Sequence, residues 1–130
     1  MKEKILIVED NTDCREILVY YLQLMGYQAL EAANGREALL SALAEHPDVI
    51  FMDLGLPDMD GTQAAAVIKK NPDTSHIPIV AVTAWDTALW KEKAFKAGIT
   101  KYLLKPVSPL ILKETIEEVT RQSLLNEISA

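Results

Sequence analysis

The chain has 130 residues, a net charge of −6 at pH 7 and an isoelectric point near 4.9. Its length suits one domain with a buried core, and its acidic balance, without a basic stripe, argues against nucleic acid or a membrane surface as a partner. No apolar run approaches the roughly 18 residues of a membrane span, and a single cysteine excludes an internal disulfide, so we expect a cytoplasmic protein.

Five short apolar runs alternate along the chain with five segments of helical pattern. The runs at 4–8, 27–32, 48–53, 79–83 and 101–104 are typical of buried strands. Helices are predicted over 12–25, 35–45, 61–70 and 87–97, and a last helix begins at Ser108 and Pro109. From about 122 onward the chain either extends that helix or frays. Strands that alternate with helices predict a parallel sheet with helices on both faces.

Apolar residues at helical spacing predict the helix faces that pack on this sheet. They are Cys14, Ile17, Leu18, Tyr21, Leu22 and Met25 in the first helix, Ala64, Ala65, Val67 and Ile68 in the third, Trp90, Ala94 and Phe95 in the fourth, and Leu112, Ile116 and Val119 in the last. Cys14 is expected to be a small core residue. The segment from Asn34 to Glu37 resembles a capping box at the start of the second helix.

Polar side chains stand at the ends of four predicted strands. Glu9 and Asp10 follow the first strand, Asp53 ends the third, Thr83 ends the fourth and Lys105 follows the fifth. In an open parallel sheet these ends share one edge, where such folds place their sites. Three carboxylates about 5 Å apart would repel one another by about 3 kcal/mol per pair at an effective dielectric constant of about 20. The cluster therefore predicts a bound cation or a protonated acid.

This set of groups suits phosphoryl chemistry with a magnesium ion. Hard oxygen ligands in small number, without a calcium-loop pattern, suit Mg²⁺, which keeps waters and accepts a phosphate. The phosphoryl group could also bind the ammonium of Lys105 and the hydroxyl of Thr83, while Asp53 attacks it to form an aspartyl-phosphate. Simpler interpretations remain open, because Asp53 could cap a turn and Thr83 could be an ordinary strand residue.

Four motifs resemble the receiver domain of two-component response regulators, from residue 4 to about 119. They are Val-Glu-Asp-Asn at 8–11, Met-Asp-Leu-Gly-Leu-Pro-Asp-Met-Asp-Gly at 52–61, His-Ile-Pro-Ile-Val-Ala-Val-Thr-Ala at 76–84, and Ala-Gly at 97–98 leading into Tyr-Leu-Leu-Lys-Pro at 102–106. The resemblance implies an α/β fold, a flavodoxin-like, doubly wound, five-stranded parallel sheet in the order 2-1-3-4-5 with five helices. We expect a receiver domain over 1–124 and a C-terminal tail over 125–130.

By motif position, the resemblance also implies the roles of the site residues. Asp53 would be the phosphoacceptor, with Lys105 and Thr83 acting on the phosphoryl group. Mg²⁺ would be held by Asp10, Asp53 and the backbone carbonyl of Gly55, and by Glu9 through a water molecule. Thr83 and Tyr102 would form a switch pair, and the peptide bond between Lys105 and Pro106 would be cis.

The implied function is a signalling module that catalyses only its own phosphorylation and dephosphorylation. Its donor would be a sensor histidine kinase or a histidine phosphotransfer protein, and its downstream effector is unknown. Phosphorylation would reshape the surface of the fourth helix, fifth strand and fifth helix, through which a homodimer could also form. No nucleic acid or membrane is expected as a partner of this domain.

Gly55 departs from the usual family pattern, in which a longer side chain stands two residues after the acceptor. The missing side chain would open a phosphate on Asp53 to water, whereas Trp85, two residues after Thr83, could cover it. These two effects oppose each other, so the sequence leaves the lifetime of the phosphate undetermined.

Two other functions use a similar sheet. A phosphohydrolase of the haloacid dehalogenase type also forms an aspartyl-phosphate, but it needs a second acid at the position of Gly55. A flavin-binding module needs a phosphate loop rich in Ser, Thr and Gly after the first strand, and the sequence shows none there.

Overall fold

A computed structural model of the chain describes residues 2–129, which form five strands and five helices. The strands are β1 (Lys4–Val8), β2 (Gln28–Ala32), β3 (Val49–Met52), β4 (Ile79–Thr83) and β5 (Lys101–Leu104). The helices are α1 (Thr12–Leu24), α2 (Gly35–Glu45), α3 (Gly61–Lys70), α4 (Ala88–Lys96) and α5 (Pro109–Ser129). All neighbouring strands are parallel and follow the order β2-β1-β3-β4-β5. The predicted flavodoxin-like fold is confirmed.

The strand ends share one edge of the sheet because the strands are parallel. Thr83 at the end of β4 pairs in register with Leu104 at the end of β5. Backbone hydrogen bonds continue one residue past the strands: the Asp53 N–H donates to the Val8 carbonyl at 3.0 Å, and the Lys105 N–H donates to the Thr83 carbonyl at 2.9 Å. The residues that follow each strand are thus held in position along this edge.

Two apolar clusters pack on the two faces of the sheet, because successive strand residues point to opposite sides. One face contacts α2, α3 and α4, and its buried strand residues include Leu6, Val8, Ile50, Met52, Ile79 and Ala81. The other face contacts α1 and α5, and its buried strand residues are Ile5, Ile7, Val49, Phe51, Val80 and Val82. The central strands are therefore buried on both sides, as their continuous apolar runs predict.

Side chains at all five helix starts accept hydrogen bonds from backbone N–H groups, and they come from Asn11, Asn34, Asp60, Thr87 and Ser108. The predicted capping box at Asn34 is only half formed. Asn34 accepts from the Glu37 N–H at 2.8 Å, but the Glu37 carboxylate accepts from the N–H of Ala33 and from the side chain of Asn34. The reciprocal capping box lies instead at the start of α3, between Asp60 and Gln63.

For three helix residues the prediction that they lie in the core is wrong. Ile17, Val67 and Phe95 are 51%, 51% and 52% exposed, and Cys14 is only half-buried. Each helix packs on a sheet along a stripe narrower than its apolar pattern, so residues at the edge of the pattern stay in solvent. In α1 this turns Val19, which the pattern omitted, toward the core.

The last helix resolves the choice left open at residue 122, because α5 continues to Ser129. Its buried residues end at Val119, and residue 130 of the expected tail lies outside the described residues. Within residues 2–129, each helix is too short or too polar to cross a bilayer.

Candidate functional site

Three carboxylates meet at the carboxyl edge of the sheet. Glu9 and Asp10 follow β1, and Asp53 follows the adjacent strand β3. One carboxylate oxygen from each residue lies within 4.8 Å of the others. Glu9 and Asp53 are only 2% and 8% exposed, whereas Asp10 is open to solvent. The structure thus brings together the three acids that the strand ends predict.

Lys105 supplies the positive charge that these acids need. Its ammonium donates to the Glu9 carboxylate and, at 3.0 Å, to Oδ2 of Asp53. Burial lowers the pKa of Lys105, but the hydrogen bonds and charges of the two carboxylates outweigh it and raise this pKa above its ordinary value. Lys105 is therefore a cation at neutral pH. The following peptide bond, to Pro106, is cis, as the resemblance implies.

Glu9 is the most enclosed member of the cluster. Its burial raises its pKa, and the hydrogen bonds from Lys105 and from the backbone N–H of Asn11 oppose this shift without cancelling it. The Arg15 guanidinium donates to the Glu9 backbone carbonyl at 2.8 Å and to the Glu31 carboxylate at 3.1 Å. Sequence reasoning missed Arg15, although its position on the first turns of α1, close to Glu9 and Asp10, was a usable signal.

The loop after β3 shapes the surroundings of Asp53. The Gly55 N–H donates to Oδ1 of Asp53 at 3.2 Å, so both oxygens of this carboxylate accept hydrogen bonds, one from Gly55 and one from Lys105. Gly61, the first residue of α3, closes the loop, and its N–H donates to the Leu54 carbonyl at 2.9 Å. The loop therefore returns to the backbone beside Asp53.

The proposed switch residues are linked through the backbone of Trp85. The Thr83 hydroxyl is buried and accepts a hydrogen bond from the Trp85 N–H at 3.2 Å. The Tyr102 hydroxyl donates to the Trp85 carbonyl. Thr83 and Tyr102 are therefore both hydrogen-bonded to the backbone of Trp85, one to its N–H and the other to its carbonyl.

Two further residues near the site were not predicted in these positions. Asp58, in the loop after β3, accepts hydrogen bonds from the backbone N–H groups of Gly35 at 2.8 Å and Arg36 at 3.0 Å. These bonds lower the pKa of Asp58. Trp85 packs its indole ring against Gly55. Both contacts join segments that are distant in sequence. The spacing of Trp85 from Thr83 indicated that its side chain could cover the site, but not that it would rest on Gly55.

A doubly wound parallel sheet, with an acid cluster and a lysine at its carboxyl edge, defines the receiver class of signalling domains. The sequence profile of the response regulator receiver domain matches residues 5–117. The chain belongs to this family, and it is a receiver domain of the kind that accepts phosphoryl groups in two-component signalling.

Individual relatives agree with this family. The chain is 35% identical over 121 residues to the probable transcriptional regulator ycf27 of Porphyridium aerugineum, a match that covers 93% of this chain and 49% of that protein. The chain thus spans about half the length of the first curated relatives that it matches.

Solved structures show the same architecture. A CheY-like response regulator receiver domain protein from Methanospirillum hungatei JF-1 superposes with a TM-score of 0.91 at 28% identity, covering 97% of this chain and 99% of that one. The receiver domain of the sensor histidine kinase PA1611 from Pseudomonas aeruginosa PAO1, with a magnesium ion coordinated in its active-site cleft, superposes with a TM-score of 0.86 at 31% identity, covering 92% and 98%.

Proposed function

We propose that Asp53 is the residue that accepts the phosphoryl group, from a sensor histidine kinase or a histidine phosphotransfer protein. The observation that carries this assignment is the 3.0 Å contact between Oδ2 of Asp53 and the ammonium of Lys105. A carboxylate nucleophile needs a free approach and a nearby cation for the incoming charge. Glu9 also contacts Lys105 but is 2% exposed, and Asp10 is exposed on the outer side of the cluster. Asp53, at 8% exposure, is the more accessible of the two carboxylates that contact Lys105.

In the proposed transfer, an oxygen of Asp53 forms a bond to phosphorus while the bond from phosphorus to the donor nitrogen breaks. The nitrogen keeps the electron pair of that bond. Lys105 offers its charge to a phosphoryl oxygen, and the Gly55 N–H offers a second donor beside Oδ1 of Asp53. The donor leaves without its phosphoryl group and the chain keeps that group, which suits a signalling module rather than a turnover enzyme.

The acid cluster also fits Mg²⁺. Three carboxylates with ligand oxygens within 4.8 Å of one another form the hard, anionic donor set that this ion prefers. We assign Asp10, Asp53 and the carbonyl of Gly55 as direct ligands, and Glu9 as a ligand through water. When bound, Mg²⁺ would neutralise the charge that gathers on the phosphoryl oxygens. The magnesium ion in the cleft of the Pseudomonas aeruginosa neighbour supports this assignment.

Thr83 and Tyr102 are proposed as the switch. A phosphoryl group adds about two negative charges and three acceptor oxygens, so the Thr83 hydroxyl gains a stronger partner than the Trp85 N–H. If the Thr83 hydroxyl turns toward the phosphoryl group, the Trp85 N–H loses its hydrogen bond to Thr83. The Trp85 carbonyl, which accepts from the Tyr102 hydroxyl, is then held less firmly. The surface formed by α4, β5 and α5 would then change shape.

That surface is the proposed site for an effector or for a second copy of the chain. It carries exposed apolar side chains, among them Leu89, Leu104 and Leu110 at 64%, 41% and 63% exposure. We retain 1–124 as the receiver domain and 125–130 as a tail, since the buried residues of α5 end at Val119. A cytoplasmic location suits the proposed donors.

Replacement of Asp53 by asparagine tests the assignment. Acetyl phosphate with Mg²⁺ should add one phosphoryl group to the wild-type chain and none to Asp53→Asn, measured by mass spectrometry of the intact protein. Asp73→Asn, in the exposed loop before β4, is the matched control and should label like the wild type. A label that persists on Asp53→Asn would place the acceptor on another residue.

A further inference from the structure

We propose that the indole ring of Trp85 is a lid beside the acceptor carboxylate, and that it slows hydrolysis of the aspartyl-phosphate. The lid can lie there because residue 55 has no side chain. This inference rests on the proposed function, since the lid acts on a phosphoryl group carried by Asp53.

The ring occupies the space that a side chain at position 55 would need. A Cβ atom built on Gly55 would lie 3.2 Å from Cζ2, 3.6 Å from Cη2 and 3.8 Å from Cε2 of Trp85. These three atoms belong to the six-membered part of the indole, so its edge rests on the glycine. Gly55 is itself bonded to Oδ1 of Asp53 through its N–H. The ring therefore borders the acceptor on the Gly55 side.

Several contacts hold Trp85 in this place. Its backbone is held by the buried Thr83 hydroxyl and by Tyr102. Its ring packs on Trp90, with centroids 4.5 Å apart and planes tilted by 39°, and the Lys93 ammonium lies 4.4 Å above the Trp90 ring. The contacts of the ring with Gly55 and Trp90 do not use the Thr83 hydroxyl, so they can persist when that hydroxyl turns to a phosphoryl group.

A lid at this place acts on the hydrolysis step. In that step a water molecule forms a bond to phosphorus, the bond from phosphorus to the Asp53 oxygen breaks, and inorganic phosphate leaves as the water releases its proton to solvent. The water must approach opposite the leaving oxygen. An apolar ring over the Gly55 side reduces the space for that water and offers it no hydrogen bond. The ring of Trp85 therefore takes the place of the side chain that Gly55 lacks, and it shields the phosphate on the side that the glycine leaves open.

The first test measures the decay of the label. Wild type and variants are labelled with acetyl phosphate and Mg²⁺, the donor is removed, and loss of the phosphoryl group is followed by intact mass. Trp85→Ala should lose its label about tenfold faster, equivalent to about 1.4 kcal/mol of activation free energy, and Trp85→Phe should lie between the two. Phe95→Ala removes an exposed aromatic side chain of α4, away from Gly55. This variant should lose its label at the wild-type rate. A wild-type rate in Trp85→Ala overturns the proposal.

A double-mutant cycle tests the shared space. Gly55→Asn should displace the ring and speed the decay when Trp85 is present, but should not speed it in Trp85→Ala, because there is no ring to displace and the new side chain can only cover the phosphate. Equal acceleration by Gly55→Asn in both backgrounds would overturn the lid. Thermal unfolding of each variant should show that the fold is kept, because Trp85 is 37% exposed and contributes little to the core.

A fluorescence measurement needs no phosphorylation. In a Trp90→Phe background the emission comes from Trp85, and Gly55→Asn should shift it to longer wavelength as the ring moves into water. An unchanged spectrum overturns the proposed packing. Absence of label on the wild-type chain would instead refute the proposed function, and the fluorescence arm would still report on the position of the ring.

Discussion

Gly61 shows how closely the backbone packs around Asp53. A Cβ atom at this position would lie 2.3 Å from the Asp53 carbonyl oxygen and 2.9 Å from Cα of Leu54. Both are backbone atoms, which cannot turn aside as a side chain can. The peptide that carries Asp53 is therefore held against the first turn of α3.

Gly61→Ala should destabilise the fold by about 1–3 kcal/mol, the usual cost of forcing an extra carbon into a packed interior. Urea unfolding measures this loss. Gly35→Ala is the matched control, because Gly35 is also the buried first residue of a helix, but the three atoms nearest its Cβ position all belong to the side chain of Met59, which can move. An equal loss in the two variants would contradict the backbone clash.

Single site residues were predictable where chemistry coincides with the end of an apolar run. Glu9, Asp10, Asp53 and Lys105 stand at such ends, and parallel strands bring them to one edge. Trp85 and Gly55 were noticed in the sequence, but their contact was not predicted, because the path of the loop after β4 depends on packing. Their roles, like those of the acids, stay predictions.

Among the elements, the loop after β3 is fastened to α2 as well as to α3. The Asp58 carboxylate accepts from the first two backbone N–H groups of α2, at Gly35 and Arg36. These N–H groups have no partner within their own helix. Asp58 therefore ties the loop that carries Gly55 to a second element.

The contribution of the Asp58 hydrogen bonds to stability should depend on pH. Because its pKa is lowered in the folded chain, its contribution to stability is complete above the ordinary value of 3.8 and is lost as the pH falls through the folded pKa. Asp58→Ala should thus be less stable than the wild type at pH 7, and the difference in free energy of unfolding should shrink below about pH 4. Denaturant unfolding across this range measures it, and a difference that is constant with pH would contradict the assignment.

Helices were less predictable from sequence than strands. A short continuous apolar run, such as the one that ends at Thr83, predicts a strand that is buried on both faces. All five residues of β4 are indeed buried. An apolar stripe on a helix does not fix the rotation of the helix about its axis to better than a fraction of a turn. Ile17, Val67 and Phe95 lie at the edge of their stripes and are exposed.

For the whole molecule, bound Mg²⁺ should raise the stability of the fold. An ion that binds the folded chain and not the unfolded one adds about 2.7 kcal/mol at a hundred times its dissociation constant. The midpoint of thermal unfolding should therefore rise with Mg²⁺ in the wild type and not in Asp10→Asn. Asp13→Asn, an exposed acid on the first turn of α1, is the control and should respond like the wild type. A response in Asp10→Asn equal to the wild type would remove Asp10 from the ligand set.

The contact between Glu9 and Lys105 joins residues 96 positions apart, which directly follow the first and the last strand. A ribosome must therefore deliver most of the domain before Asp53 gains its neighbouring cation. A chain that is cleaved or stalled before β5 would hold Asp53 but not the machinery to use it. The pairing of Asp53 with its lysine therefore requires a chain made at least as far as residue 105, with β5 already paired to β4.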